Sequence, residues 1–222
     1  MGREIKLSLV YRDMWQSSGK YVPTVDMLTK VAPHIVEMGC FSRVETNGGG
    51  FEQVNLLFGE NPNIAVRKWT QPFNDAGIQT QMLERALNGI RMSPVPADVR
   101  QLMFKVKKKQ GTDISRSFCG LNDYRNVSDS IKYAKAGGMI AQAALSITYS
   151  EVHTVEYYVN LAKKLNMVVR TIDIAQGAIN IGRAIEATIN TEWTTELRID
   201  VTSGGSATFP GQKINVAGGT FM

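Results

Sequence analysis

The chain has 222 residues, of which 43% are hydrophobic and 20% are charged. This length and composition predict a globular protein with one substantial core and exclude a disordered or fibrous chain. The net charge is +5, and its densest part is the run KVKKK at residues 105–109. Such a run is typical of a solvated helix C-terminus, and because no aromatic residues alternate with it we predict no nucleic-acid binding.

The cysteines and the apolar segments indicate the cellular compartment of the protein. Cys40 and Cys119 show no spacing typical of a zinc site or a redox motif, so we expect reduced thiols and a cytoplasmic protein. The apolar run within MGREIKLSLVYRD is too short for a signal peptide. No segment reaches the roughly 18 apolar residues of a membrane-spanning helix, so we predict none.

Short apolar runs alternate with helical patterns from residue 5 to residue 166. We predict strands at residues 5–13, 40–47, 78–85, 112–123 and 139–150. We predict helices at residues 25–39, 51–77 (two helices split by Asn61 and Pro62), 96–111, 127–138 and 154–166. This alternation indicates parallel strands with right-handed crossovers, and an α/β barrel of about 200–250 residues is commonly a single domain.

The pattern is less regular after Asn166. Here we predict a strand at 167–176, a helix at 179–193 and a strand at 196–203, with 213–221 as a candidate eighth strand. The connection between the last two strands is too short and too rich in glycine and proline for a crossover helix. We therefore predict a (β/α)8 TIM-barrel type of α/β fold that is incomplete or irregular at its C-terminal end. Residues 1–166 would form the main barrel portion, and residues 167–222 would form a divergent part that could supply strands six to eight.

Polar side chains gather where the predicted strands end. They are Arg12, Asp13, Gln16, Glu45, Asn47, Glu84, Arg85, Asn88, Asn122, Asp123 and Thr148. In an α/β barrel the C-terminal ends of the strands form the rim that holds the active site, so these residues are candidates for one shared site. Taken singly, each of them could equally be a helix cap or a member of a structural salt bridge.

Five segments resemble motifs of a known family. YRDMWQS resembles the motif L-R-D-x-x-Q-S, MLERALNGIR resembles M-L-x-R-x-x-N, and GLNDYRN resembles x-N-D-x-R-N. VETNGGGFEQVNLLFGENPN and ITYSEVHTVEYYVNLAKKL are similar to two further blocks of the same family. The family is the biotin-dependent carboxyltransferase domain of oxaloacetate decarboxylase, transcarboxylase and pyruvate carboxylase. The resemblance covers roughly residues 4–165.

The resemblance implies a barrel enzyme in which pyruvate or oxaloacetate exchanges CO₂ with carboxybiotin, carried by a separate protein or domain. By position, Arg12, Gln16 and Arg85 would be catalytic and substrate-binding residues. Glu52 would also bind substrate, and Asp13 would ligate a divalent metal such as Zn, Mn, Co or Mg. A divalent ion stabilises an enolate oxygen, and a guanidinium binds a carboxylate through paired hydrogen bonds. We also expect a homo-oligomer.

The later family motifs differ in this chain. The family's K-D-M-x-G strand end, whose lysine ligates the metal as a carbamate, corresponds to TIDIAQ, with Ile172 in place of the lysine and Asp173 kept. The family's H-x-H strand end corresponds to LRIDVTSGG, with Asp200 and Thr202 in place of the histidines. An oxygen-only Mg²⁺ site from Asp13, Asp173 and Asp200 is an alternative set of ligands.

Three functions therefore stay open from the sequence. The chain could be a biotin-dependent carboxyltransferase or oxaloacetate decarboxylase subunit. It could instead be a truncated or inactive relative that binds small carboxylates or a partner, or another metal-dependent lyase or aldolase of the same barrel superfamily. The replaced lysine and histidine positions argue against a complete metal site.

Overall fold

A computed structural model describes residues 7–12, 21, 23–147, 150–166, 171–175, 197–202, 214–216 and 219–221. For Gln53, for Asn166 and for the segments after residue 170, the description covers the backbone alone.

Seven parallel strands within the described ranges form one sheet that closes on itself. The strands are β1 (Leu7–Val10), β2 (Phe41–Gly48), β3 (Gln79–Glu84), β4 (Ile114–Phe118), β5 (Ile140–Leu145), β6 (Thr171–Ala175) and β7 (Leu197–Thr202). Strands that follow one another in the chain are neighbours in the sheet, and β7 closes it by pairing with β1, Leu9 opposite Val201. The predicted α/β barrel class is confirmed.

Helices connect the first six strands. They are α1 (Val25–Glu37), α2 (Gly49–Leu57), α3 (Pro62–Asp75), α4 (Ala97–Lys109), α5 (Tyr124–Ala136) and α6 (Val155–Asn166). The side chains of Thr24, Asn61 and Asp123 cap α1, α3 and α5 by accepting backbone N–H bonds. Because Asp123 is a cap, α5 begins three residues earlier than the sequence pattern predicts. None of the described helices is long and apolar enough to cross a membrane.

The apolar core lies between the sheet and the helices, in two clusters. One is centred on Trp69 and Phe73 of α3, whose rings meet edge to face with centroids 5.0 Å apart. The other includes Phe104 of α4, Ile131 of α5 and Tyr158 of α6, all fully buried. Since side chains alternate along a strand, the helix-facing residues build this core and the residues between them face the barrel interior.

The end of the chain differs in part from the prediction. The strands predicted at 167–176 and 196–203 are present as β6 and β7, whereas the eighth barrel strand predicted at 213–221 is wrong. That segment contains two short strands, β8 (Ile214–Val216) and β9 (Gly219–Phe221), which pair antiparallel in a sheet of their own. Only two residues separate the two strands, which is the connection length of a hairpin. The helix predicted at 179–193 lies outside the described residues.

Candidate active site

A buried polar cluster lies where β1 and β2 approach their C-terminal ends. Arg12, just past β1, donates from Nε to Glu45 Oε1 over 2.8 Å. The other oxygen, Glu45 Oε2, accepts from Gln81 Nε2 of β3 at 3.0 Å and pairs with Arg116 Nη2 of β4 at 2.6 Å. We call Arg12, Glu45, Gln81 and Arg116 the Glu45 cluster. Each of the four is at most 4% exposed.

The sequence builds this cluster through strand register. Glu45 lies opposite Gln81 in the parallel pair β2–β3, and Gln81 lies opposite Ile114, two residues before Arg116. Paired residues of parallel strands share a face, so Glu45, Gln81 and Arg116 all lie on the inner face of the barrel. A carboxylate on β2 can reach an arginine two strands away because the closed sheet is concave on that side.

The arginines decide the charge of Glu45. Burial acts to raise the pKa of this carboxyl, but the positive charges of Arg116 and Arg12, with hydrogen bonds from Gln81 and Arg12, outweigh burial and lower the pKa. Glu45 is therefore an ionised carboxylate that holds Arg12 and Arg116 by charge-assisted hydrogen bonds. Arg12 is thus held in a fixed orientation at the end of β1.

Arg85 approaches the same place from β3. It follows Glu84 directly and is half-buried, and its guanidinium lies against Met92 Sδ. Partial burial lowers the pKa of Arg85, and the positive charge of Arg12 lowers it further. Arg12 follows β1 and Arg85 follows β3, the two strands that flank β2, so both arginines lie at the C-terminal end of the barrel. Their shared positive potential is suited to a small anion.

Glycines at the end of β2 allow this close packing. Gly48 has a φ of +155°, and a Cβ there would lie 3.0 Å from Arg12 Cδ and 2.9 Å from the carbonyl oxygen of Leu83. A Cβ at Gly49 would lie 2.4 Å from the carbonyl oxygen of Ile90. The glycine run therefore brings the end of β2 against both Arg12 and the segment after β3.

Known carboxylase and carboxyltransferase subunits resemble this chain over most of its length. No family model matches the chain. The chain is 34% identical over 156 residues to a pyruvate carboxylase subunit of Methanocaldococcus jannaschii, covering 70% of this chain and 27% of that protein. It is 27% identical over 164 residues to the methylmalonyl-CoA carboxyltransferase 5S subunit of Propionibacterium freudenreichii subsp. shermanii, covering 73% of this chain and 32% of that protein. As its motifs predict, the chain resembles the biotin-dependent carboxyltransferase domain family over about 70% of its length.

The family fold is also seen in solved structures. The carboxyl transferase domain of Rhizobium etli pyruvate carboxylase, determined with oxamate and biotin, superposes with a TM-score of 0.79 at 19% sequence identity. The match covers 89% of this chain and 35% of that one. This likeness confirms the barrel fold. The chain spans only about a third, or less, of the length of each of these relatives.

Other candidates from the sequence have structural contacts. Glu52 of α2 forms an ion pair with Lys107 of α4, whose pKa burial lowers to about 7. The substrate-binding role of Glu52 stays a prediction. Asn122 bonds to both backbone groups of Ser146, donating to its oxygen at 2.7 Å and accepting from its nitrogen at 2.9 Å, so it joins the ends of β4 and β5. With the cap at Asp123, the GLNDYRN motif has a clear structural role.

Several predicted site residues lie where the structure describes no side chains. Asp13, Gln16 and Thr148 lie outside the described residues. Asp173 is opposite Ala144 of β5 in the backbone register, and Asp200 is opposite Ala175 of β6. The metal-ligand roles of Asp13, Asp173 and Asp200 and the substrate role of Gln16 therefore stay predictions.

The metal implied by the family does not fit the donor set of this chain. Ile172, at the position of the family's lysine, has no ligand atom, and its backbone pairs with Ala143 in the middle of the sheet. Asp200 and Thr202 supply oxygen where the family has imidazole nitrogen. Among the described side chains, no group of three or more His, Cys, Asp or Glu could hold a metal ion.

Sequence reasoning missed two features of the site. Glu45 was one of several strand-end polar residues, yet it is the acceptor that organises Arg12 and Arg116. Its signal in the sequence is a charged residue inside a strand, and the residue opposite it in register, Gln81 of β3, is also polar. The second missed feature is a 3-10 helical turn at Ala86–Asn88, directly after Arg85.

Proposed function

We propose that the site binds a small keto acid, pyruvate or oxaloacetate, and that the barrel exchanges CO₂ between it and carboxybiotin on a separate carrier protein or domain. The observation that carries this proposal is the position of Arg12 and Arg85 at the C-terminal ends of β1 and β3, the strands on either side of β2. Guanidinium groups bind carboxylates bidentately, and two of them create a strong local attraction for an anion. The similarity of the chain to a pyruvate carboxylase subunit supports the same substrate class.

The residues suggest how carboxyl exchange would proceed. In the carboxylation direction the methyl group of pyruvate would lose a proton, which the biotin nitrogen that gives up CO₂ can accept, and the enolate carbon would form a bond to that CO₂ to give oxaloacetate. Negative charge develops on the enolate oxygen when the proton leaves, before the new bond forms, and there a fixed, buried cation is stabilising. Arg12 is suited to that task because Glu45 holds its guanidinium in place before substrate arrives. Arg85, which is half-buried, is suited to the substrate carboxylate.

A second function, carboxylate binding without turnover, is favoured by the missing metal donors. Ile172 cannot ligate a metal, and Asp200 and Thr202 replace the two histidines of the family. Without that ion, the arginines alone would stabilise the enolate oxygen. The chain would then retain the anion site of the family and lack its catalytic rate.

Binding and turnover separate these two functions. We expect pyruvate and oxamate, titrated calorimetrically into the purified chain, to bind wild type and to bind Arg85→Gln about tenfold more weakly, since one charge-assisted contact is lost. Arg67→Gln is the control, because Arg67 lies on the exposed face of α3 and donates to the carbonyl oxygen of Lys109. Equal affinities in wild type and Arg85→Gln would contradict the proposed keto-acid site.

An oxaloacetate decarboxylation assay with metal analysis then decides between the two functions. Turnover, together with stoichiometric metal that is lost in Asp13→Ala, supports the carboxyltransferase. Binding with neither metal nor turnover supports the non-catalytic relative.

A further inference from the structure

A second buried glutamate lies next to Arg85, on the opposite face of β3 from Gln81 and the Glu45 cluster. Glu84 is the last residue of β3 and is fully buried between the sheet and the helices. Its Oε1 accepts a 2.9 Å hydrogen bond from Ser130 Oγ of α5. Its Oε2 accepts a 3.0 Å hydrogen bond from the backbone N–H of Ala86. Glu84 thus ties the residue after Arg85 to the helical layer.

Arg100 of α4 holds the other side of the same residue. Its Nη1 donates to the carbonyl oxygen of Ala86 at 3.1 Å and to Ser130 Oγ at 3.4 Å. Its guanidinium also lies over the ring of Tyr133, 5.3 Å from the centroid. Both backbone polar groups of Ala86 are therefore bound by buried side chains. We call Glu84, Ala86, Arg100 and Ser130 the Glu84 network.

The backbone of Ala86 needs such support. Its φ is +47°, in the left-handed region that costs a non-glycine residue about 1–2 kcal/mol. A conformation of this kind persists only when its surroundings determine it, and such conformations concentrate at binding sites. Here the surroundings come from β3, α4 and α5 together.

Ala86 sets the path of the turn that carries Arg85. The Arg85 N–H donates to the carbonyl oxygen of Gly89 at 2.7 Å, and the Gly89 N–H donates back to the carbonyl oxygen of Ala86 at 3.0 Å. These two bonds close the turn from Arg85 to Gly89. If Ala86 left its left-handed conformation, both would be disturbed and Arg85 would leave β3 in another direction.

We propose that Glu84 is a positioning residue for Arg85, acting with Ser130 and Arg100 through the backbone of Ala86. Glu84 does not touch the ligand in this proposal, and its effect on ligand binding passes entirely through the turn. The consequence for ligand binding rests on the proposed keto-acid site, whereas the ordering of the turn does not. The experiment therefore measures the two separately.

Three variants of the full chain form the test. Glu84→Leu removes both carboxylate oxygens, and Glu84→Gln keeps an acceptor for the Ala86 N–H. Thr80→Val is the matched control, because it removes a partly buried side-chain hydrogen bond, 2.6 Å from Thr80 Oγ1 to the carbonyl oxygen of Gly111, near the start of the same strand. Amide hydrogen exchange is read at Arg85, Asn88 and Gly89, whose N–H groups do not bond to Glu84, and is compared with the global unfolding free energy of each variant. Oxamate affinity is measured by calorimetry.

In Glu84→Leu we expect exchange at the three amides to rise about tenfold relative to global unfolding and oxamate affinity to fall about fivefold. Glu84→Gln and Thr80→Val should stay near wild type in both measurements. Unchanged exchange in Glu84→Leu, or an equal rise in Thr80→Val, overturns the proposal. Faster exchange with undiminished oxamate affinity, in a chain whose wild type binds oxamate, also overturns it. If the wild type binds no oxamate, the proposed keto-acid site fails, and the exchange result alone decides whether Glu84 orders the turn.

Discussion

Glu45 and Glu84 are equally hidden from water, but their pKa values are shifted in opposite directions. Glu45 faces Arg12 and Arg116, which outweigh burial and lower its pKa. Glu84 accepts hydrogen bonds from the hydroxyls of Ser117 and Ser130 and from the Ala86 N–H, and burial raises its pKa to about 7 even though these bonds and the charge of Arg100 act to lower it. Burial alone therefore does not set the protonation of a carboxyl group, because the neighbouring charges decide the sign of the shift.

Glu45 and Glu84 also hold a neighbouring arginine in different ways. Arg12 is held directly, by an ionised carboxylate that contacts its guanidinium. Arg85 is held indirectly, through a backbone turn whose shape depends on a carboxyl group that does not contact the arginine side chain. The first arrangement fixes the position of the Arg12 guanidinium, and the second fixes the backbone conformation of the turn that carries Arg85.

Removing the charge of Glu45 should have the largest effect on stability. Glu45→Gln takes away the carboxylate that the buried guanidiniums of Arg12 and Arg116 share, so we expect a loss of about 3–5 kcal/mol in the free energy of unfolding. Urea denaturation at pH 7 measures it, with Glu84→Gln as the matched control. A loss below about 1 kcal/mol would show that the cluster is far less dependent on charge than its geometry indicates.

Removing the charge of Glu84 should stabilise the protein at high pH, which is the opposite of the effect expected at Glu45. Because the folded pKa is raised from 4.5 to about 7, the stability that Glu84 contributes is fully present below pH 4.5 and is lost as the pH rises through about 7. Between pH 5 and pH 8 we expect wild type to lose about 2–3 kcal/mol relative to Glu84→Gln. Urea denaturation of both proteins across that range is the measurement. Parallel curves for the two proteins would mean that Glu84 has no raised pKa.

Crowding of Arg12 should come next in size. In Gly48→Ala the new Cβ would collide with the Leu83 carbonyl oxygen and press on Arg12, in a backbone conformation that alanine rarely adopts. We expect a loss of about 2 kcal/mol, in thermal or urea denaturation. Gly59→Ala is the control, since Gly59 also has a positive φ of +74° but no atom lies within 4 Å of a new Cβ. Its cost should be the backbone strain alone, about 1 kcal/mol. Equal losses at the two positions would rule out the steric part of this prediction.

The smallest effect should come from Ser130. Ser130→Ala removes the hydroxyl that donates to Glu84 Oε1, and we expect it to destabilise the protein by about 1 kcal/mol at pH 8, where Glu84 is ionised. In the Glu84→Gln background the cost should shrink, because a hydrogen bond to a neutral amide is weaker than one to a carboxylate. A double-mutant cycle measures this coupling. An identical cost in both backgrounds would place the effect of Ser130 outside the Glu84 network.

Much of the fold follows from local sequence pattern. The alternation of apolar runs and helical periodicity located the strands and helices up to Asn166, because each element carries its own signal within its own residues. The hairpin at 214–221 was misread as an eighth barrel strand, since a short apolar segment with glycines suits both structures and only the pairing partner tells them apart. The pairing partner cannot be read from the residues of the segment itself.

The site was predictable to the extent that position along the chain determines it. Arg12 and Arg85 could be picked out because strand ends meet at one rim and because motifs of a known family surround them. The roles of Glu45 and Glu84 could not be predicted, because each depends on the residues that one face of a strand contacts in the folded protein. Glu45 meets arginines from the end of β1 and from β4. Glu84 meets hydroxyl groups of β4 and α5, the charge of an α4 arginine and a backbone amide of its own turn.

The pairing of β1 with β7 also has a consequence for how the molecule folds. Leu9 lies opposite Val201, so the contact that completes the sheet joins residues nearly the whole length of the barrel apart. Contacts of such long range form slowly, because a large loop must be ordered before they are gained. On the ribosome, β1 must therefore wait with one unpaired edge until residue 202 has emerged. During that interval the unpaired edge of β1 is open to mispairing with other strands, a hazard that chaperones limit.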